Sequence, residues 1–160
     1  MPPPMTIHLR PLVADDHADV ARIFFRAVHD GTVGLYTPDQ RRAWAGERLE
    51  PDGWKARVAG LTGVMAVAED GPAGFLTIDA TGHVDLAFVL PTHARKGIGT
   101  LLLRAAETWA ADHGATRLRT EASLAARPFV EKNVWQVVER EEILRRGVTL
   151  SRFRMDKLLC

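Results

Sequence analysis

Cysteine is nearly absent: the one copy, Cys160, is the last residue. A lone thiol excludes an intrachain disulfide and any multi-cysteine zinc site, which fits a reduced, cytoplasmic setting. An excess of one charge is missing too, since Lys+Arg 21 against Asp+Glu 20 leaves a formal net charge of +1. Nucleic-acid and anionic-membrane binders draw their affinity from a large basic surplus, so neither partner is expected. No apolar run approaches the roughly 18 residues of a membrane span, and no signal peptide begins at Met1. Tyrosine is equally scarce, with Tyr36 alone. What remains is 160 residues at 46% hydrophobic and 26% charged, enough to fill one core and keep a charged surface. One domain is expected, from residue 5 to residue 160, behind a loose Met1–Pro4 tail whose prolines cannot donate to a ladder.

Along the chain, Thr6 to Leu12 alternates, with Ile7, Leu9 and Pro11 opposite His8 and Arg10, and reads as a strand. Asp15 and Asp16 then precede Val20, Ile23, Phe24 and Val28 at helical spacing. Pro38 opens a second helix containing Trp44, and Pro51-Asp52-Gly53 a shorter third containing Trp54. Val64–Ala68, Ala73–Ile78 and Val84–Leu90 are β-rich runs joined by Asp70-Gly71-Pro72 and Thr81-Gly82, an antiparallel meander. Gly97 to His113 is a strong helix, its apolar face assigned to Ile98, Leu101, Leu102, Ala105 and Trp109, with Gly114 as the stop. A strand at Leu118–Ala122, a short helix at Pro128–Lys132 and strands at Gln136–Ile143 and Val148–Met155 complete the order. The expected class is α/β of the α+β kind: a central, mixed, mostly antiparallel sheet flanked by helices.

The segment from Val84 to Thr100 is the most informative. A strand ends at Leu90-Pro91, a basic turn carries His93, Arg95 and Lys96, and Gly97-Ile98-Gly99-Thr100 opens the long helix. Glycines let a ligand approach the backbone, and the first helical N–H groups have no internal partner. With the helix dipole and two basic side chains, this is an anion site. No Gly-x-x-x-x-Gly-Lys-[Ser/Thr] occurs, which removes the P-loop, and Leu102 stands where a dinucleotide fingerprint needs its third glycine.

This segment resembles the acetyl-coenzyme A loop of the GNAT superfamily of N-acetyltransferases, [Gln/Arg]-x-x-Gly-x-[Gly/Ala] after a strand ending in proline. Arg26-Ala-Val, Tyr36-Thr-Pro-Asp-Gln40, Ala43-Trp-Ala45, Trp54-Lys55 and Ala126-Arg-Pro-Phe129 are similar to the YafP-type subgroup. The resemblance implies a GNAT-like fold over nearly the whole chain and acetyl-coenzyme A as co-substrate, with no metal. Phe88, Val89 and Leu90 would meet the pantetheine arm, with the Val89 N–H at the thioester carbonyl, and Arg95, Lys96, Gly97, Ile98, Gly99 and Thr100 would hold the pyrophosphate. Four residues depart from the family pattern. Ala94 replaces Gln or Arg, Ser123 replaces a common Asn, Val130 replaces the tyrosine that protonates the leaving thiolate, and Val134 replaces a turn glycine.

Acetyl transfer to an amine needs a free amine, a donor to the carbonyl oxygen and an exit for the thiolate. Asp85 and His83, two apart on one strand, share a face and are the candidate base or water relay; their alternative is a turn-fixing Asp and an exposed His. Tyr36 is the one residue left for a tyrosine acid; otherwise it lines the acceptor pocket, or is a surface-loop aromatic packed on Trp44. Ser123 donates to the thiolate or caps the next helix. His29, Tyr36, Trp44 and Trp54 form an aromatic-rich set that core filling mostly explains. His8, His17, His93 and His113 lack metal-ligand spacing. The expected activity is direct transfer, through a ternary complex, to the primary amine of a small molecule or peptide. The alternative is a non-catalytic acyl-coenzyme A sensor or interaction module. The sequence leaves open whether a second copy of the chain is a partner.

Overall fold

In the computed structural model, residues 6–159 are described; the Met1–Pro4 segment and Cys160 lie outside them. The first alternating stretch forms β1 (His8–Pro11). A 3-10 turn at Ala14–Asp16 then leads into α1 (His17–His29). Asp16 is buried there and accepts from both ends of the Arg10 guanidinium, at 2.9 and 2.7 Å, and from the Val13 N–H at 2.8 Å. Pro38 does open α2 (Pro38–Ala45), behind a reciprocal cap in which Thr37 and Gln40 exchange side-chain and backbone hydrogen bonds. The third helix is shorter than expected. Trp54 closes a 3-10 turn (Pro51–Trp54), and α3 covers only Lys55–Ala59.

The meander forms as β2 (Gly63–Ala68), β3 (Gly71–Ile78) and β4 (His83–Val89). There follow α4 (Ile98–Asp112), β5 (Arg117–Ser123), α5 (Arg127–Lys132), β6 (Gln136–Arg145) and β7 (Val148–Leu158). The seven strands make one sheet in the order β1-β2-β3-β4-β5-β7-β6. Every neighbouring pair is antiparallel except β4 with β5. The sheet is therefore mixed and mostly antiparallel, as the sequence pattern implies.

Each face of the sheet carries its own core. On one, Ile98, Leu102, Leu103, Ala106 and Ala110 of α4 pack on Leu76, Val84, Leu118 and Met155. The expected helix face is thus turned: Leu101 is exposed and Leu103 takes its place, because three consecutive leucines fit either stripe. On the other, Val20, Ile23, Phe24 and Val28 of α1 pack on Met65, Phe75, Leu86 and Leu90.

One irregularity in β4 matters for the site. Thr77 pairs with Leu86, but Ile78 pairs with Val84, so Asp85 is an extra residue without a β3 partner. A bulge of this kind switches the faces of the residues beyond it. Accordingly Val84 belongs to the α4-side core, whereas Leu86 and Leu90 belong to the α1-side core.

Candidate active site

The two parallel strands separate almost as soon as they meet. β4 and β5 pair only at His83 with Arg119 and Val84 with Thr120. Beyond that point β5 stays paired with β7 as far as Ser123–Arg152, and β4 stays on β3. The notch between them exposes the free edge of β4. Successive strand N–H groups point to opposite edges. The Leu90 N–H donates to the Ala73 carbonyl at 2.8 Å, so the Val89 N–H points the other way, into the notch. A carbonyl oxygen lodged there meets a preformed donor.

Immediately after β4 the chain makes a 3-10 turn, Pro91–His93, and enters α4. His93 belongs to the basic turn in sequence but not to its exposed side. It is buried, with Nε2 2.9 Å from Asp70 on the β2–β3 hairpin and Nδ1 3.0 Å from the Thr92 hydroxyl, and it anchors the loop. Asp70 titrates below the ordinary carboxylate range because of its hydrogen bond to His93. Beyond it, Arg95 (φ 62°) and Gly97 (φ 84°) both take left-handed backbone. This pair of turns aims the start of α4 outward. Gly97 is the N-cap and supplies no side chain, and the first intrahelical bond runs from the Leu101 N–H to the Gly97 carbonyl at 3.1 Å. The Ile98, Gly99 and Thr100 N–H groups thus remain free, no acid lies in the first turn, and nothing stands within 4 Å of a Cβ built on Gly97. Arg95 and Lys96 are exposed and form no ion pair among the described residues. The donor set fits a pyrophosphate.

The two glycines differ in their work. A Cβ on Gly99 would stand 2.7 Å from the Phe129 ring of α5, so packing by itself calls for a glycine here. Gly74 plays a similar part beneath the loop, where its missing Cβ leaves room for the Ile98 and Val89 side chains.

A cleft of about 260 Å³ opens from the notch. Phe24, Tyr36, Trp44 and Phe88 form its aromatic wall. Phe24 meets Phe88 edge-on at 4.9 Å, and Tyr36 meets Trp44 at 5.5 Å. Trp44 therefore packs between helices and also faces the cleft, while Trp54 packs on Phe24 and carries the Arg57 guanidinium 4.6 Å above its ring. His29 lies away from the wall, its Nε2 2.7 Å from the Gly46 carbonyl.

Asp85 reaches the cleft from the bulge and lies 3.6 Å from Arg57. Despite the bulge, His83 and Asp85 stay on the cleft side of the sheet, since the Glu121 that His83 contacts lines the same cleft as Asp85. His83 turns to β5, with Nε2 2.9 Å from both carboxylate oxygens of Glu121. Tyr36 is 4% exposed; its hydroxyl donates to the Ser151 carbonyl at 2.7 Å and accepts from the Leu124 N–H at 2.9 Å. Burial pushes its phenol above the ordinary value. Ser123 accepts from the Ala126 N–H at 3.1 Å and keeps its own proton to donate into the cleft that it lines. Val130 is buried in the α4-side core.

Glu121 and Arg57 both line this cleft, and neither stands out in the sequence. Strand alternation alone places Glu121 on the same side as Ser123, but nothing local says which strand lies beside it. Among the described residues no three His, Cys, Asp or Glu side chains gather to hold a metal ion.

Residues 32–157 match the family model for the acetyltransferase (GNAT) domain, and the chain belongs to that family. The uncharacterized N-acetyltransferase YafP of Escherichia coli (strain K12) is 28% identical over 149 residues, 93% of this chain and 94% of that protein. Among solved structures, the GCN5-related N-acetyltransferase of Rhodopseudomonas palustris superposes with a TM-score of 0.90 at 29% identity, covering 99% of both chains. The PaiA N-acetyltransferase of Thermoplasma acidophilum, solved in complex with coenzyme A, shares the fold at a TM-score of 0.73. It is 19% identical, over 96% of this chain and 99% of its own.

Proposed function

We propose that this protein transfers the acetyl group of acetyl-coenzyme A directly to a primary amine of a small molecule or peptide, within one ternary complex. The observation that carries this reading is the adjacency of three features. They are the Val89 N–H aimed into the notch, the unpartnered N–H groups of Ile98, Gly99 and Thr100, and the cleft beyond them. When bound, acetyl-coenzyme A supplies an activated acyl carbon. Phe88, Val89 and Leu90 guide the pantetheine arm along the free edge of β4, and the helix start with Arg95 and Lys96 holds the pyrophosphate. The Val89 N–H stabilises the oxyanion, and the Ser123 hydroxyl is placed to donate to the departing sulfur.

Asp85, paired with Arg57, sets the charge at the mouth of the cleft, and His83 works from behind Glu121. Tyr36 lines the cleft rather than acting as the acid, since its proton is committed to the Ser151 carbonyl. No nucleophile is called for; attack comes from the acceptor amine, which favours direct transfer. Calorimetry with acetyl-coenzyme A, followed by thiol release over an amine panel, tests the reading. Gly97→Glu should abolish binding by placing a carboxylate where phosphate sits; retained binding would refute the loop assignment.

The buried Val130 and the missing side-chain donor at Ala94 favour a second reading, a non-catalytic acyl-coenzyme A sensor. Tight binding without thiol release to any amine would select it.

A further inference from the structure

We propose that the acceptor carries a carboxylate, separated from its amine by an apolar spacer, and that Arg145 is the residue that selects it. The inference rests on the acetyl-transfer reading and names the acceptor's second functional group.

The β6–β7 hairpin closes in a two-residue turn, Arg146-Gly147, with both residues at positive φ, 48° and 79°. That turn fixes the register, and the cleft side of the hairpin becomes a ladder of cross-strand pairs. Glu139 faces Arg154, Glu141 faces Arg152, Ile143 faces Leu150, and Arg145 faces Val148. The first two rows are ion pairs, at 3.3 and 2.6 Å. The third row is apolar, and the fourth sets an arginine against a valine. Ile143, Arg145, Leu150 and Arg152 all line the cleft. Helix α2 pins this end of the hairpin. Gln40 Nε2 donates to the Thr149 carbonyl at 3.0 Å, and the Arg146 guanidinium donates to the Arg42 carbonyl at 3.2 Å.

Matching the charges in the cleft isolates Arg145. The charged residues that line it are Arg57, Asp85, Glu121, Arg145 and Arg152. Arg57 lies 3.6 Å from Asp85, Arg152 lies 2.6 Å from Glu141, and Glu121 lies 2.9 Å from His83. Arg145 has no ion-pair partner among the described residues. While the cleft is open, water satisfies this exposed guanidinium. A ligand that displaces the water must bring its own acceptor, because the neighbouring acids are already engaged. One unmatched positive charge calls for one negative charge. A carboxylate supplies it in the planar, two-oxygen form that a guanidinium binds in parallel.

The position of Arg145 sets the spacer. Ser123, placed at the thioester, stands opposite Arg152, whereas Arg145 stands opposite Val148. Those two β7 positions are about 13 Å apart along a strand. Ile143 and Leu150 occupy the interval, so the atoms that bridge it meet apolar walls. An α-amino acid, with its carboxylate beside the nitrogen, falls short of Arg145. An ω-amino acid with a longer chain spans the interval.

The test compares ω-amino carboxylic acids of increasing chain length with the ω-amino carboxamides of the same length, which keep the amine and lose the charge. With acetyl-coenzyme A present, thiol release should give the acid of best length a kcat/KM higher by about tenfold or more. Arg145→Gln should reduce that advantage to about twofold or less, through KM, and Arg145→Lys should restore part of it. Arg145→Glu should turn the preference toward the diamine of the same length. A wild type that uses acid and carboxamide equally, or an Arg145→Gln enzyme that keeps the preference, would overturn the assignment. Calorimetry separates this inference from the reading beneath it. The same acids are titrated into protein saturated with coenzyme A, so that Arg145 is read without turnover. Tighter binding of the acid than of the carboxamide, lost in Arg145→Gln, supports the proposal. A wild type that binds coenzyme A and then holds both equally defeats this inference alone. A wild type that binds no acetyl-coenzyme A defeats the acetyl-transfer reading, and this inference with it.

Discussion

Replacing Tyr36 by phenylalanine separates a structural hydroxyl from a chemical one. The ring stays, with its contact to Trp44, so no cavity opens. What goes is one oxygen joining two backbone groups, the Ser151 carbonyl and the Leu124 N–H, that are 115 and 88 residues away in sequence. Each is left without its partner where the tyrosine was 4% exposed. A stranded buried polar group costs about 1–3 kcal/mol. Water from the adjacent cleft can reach one of the two, so the expected loss is about 2–3 kcal/mol. For a chain of this length that is a Tm drop of roughly 5–10 °C. Burial raises the phenol's pKa, and a raised acid stabilises only below its unfolded value. The loss should therefore be constant across the neutral range and fade only as the pH rises into the alkaline region. Calorimetric scans at several pH values measure the loss, and steady-state kinetics at saturating acetyl-coenzyme A measure the chemistry. With the cleft wall disturbed, KM for the amine should rise while kcat holds. An unchanged Tm with a collapsed kcat would refute this reasoning and return Tyr36 to the role of acid.

Asp16→Asn should destabilise by about 1–2 kcal/mol, discounted because Arg10 is partly solvated. Burial pushes the Asp16 carboxyl up, but the Arg10 guanidinium and the Val13 N–H outweigh it and hold it below the ordinary range. The difference from wild type should thus be full at neutral pH and vanish as the pH falls through the carboxylate range, read by urea unfolding. Val134 holds a β-branched side chain at φ 71° with 74% of it exposed. Val134→Gly should therefore stabilise by about 1 kcal/mol, and a lower Tm would show that the side chain makes a contact worth more than the strain. Gly99→Ala should cost about 1–3 kcal/mol by displacing the Phe129 ring, whereas Gly97→Ala should cost only its backbone strain, about 1 kcal/mol. Equal thermal shifts for the two would contradict the division of labour between them.

The order of elements and the loop of free helix-start donors were legible in the sequence because both are local. Alternation, turn residues and helix stops act over a few positions, and Pro91 to Thr100 carries its donors, charges and glycines in one continuous stretch. Even the departure at Val134 was readable, and the backbone there does adopt the glycine-type conformation.

Tertiary structure alone decided the rest. Leu101, Leu102 and Leu103 satisfy two helical stripes equally, and only docking on the sheet selects Leu103 over Leu101. An apolar pattern does not reveal a bulge, because an extra residue is visible only against a partner strand; the unpaired position of Asp85 was therefore hidden. Gly99 looks like a ligand-approach glycine until Phe129, thirty positions on, is folded against it. Glu121 was invisible for the same reason. A carboxylate on an alternating strand comes to line a cleft only when a parallel neighbour 38 residues away pairs for two residues and then leaves. Local preferences are written within a few bonds, but which surfaces meet is set by the packing of two cores on one twisted sheet.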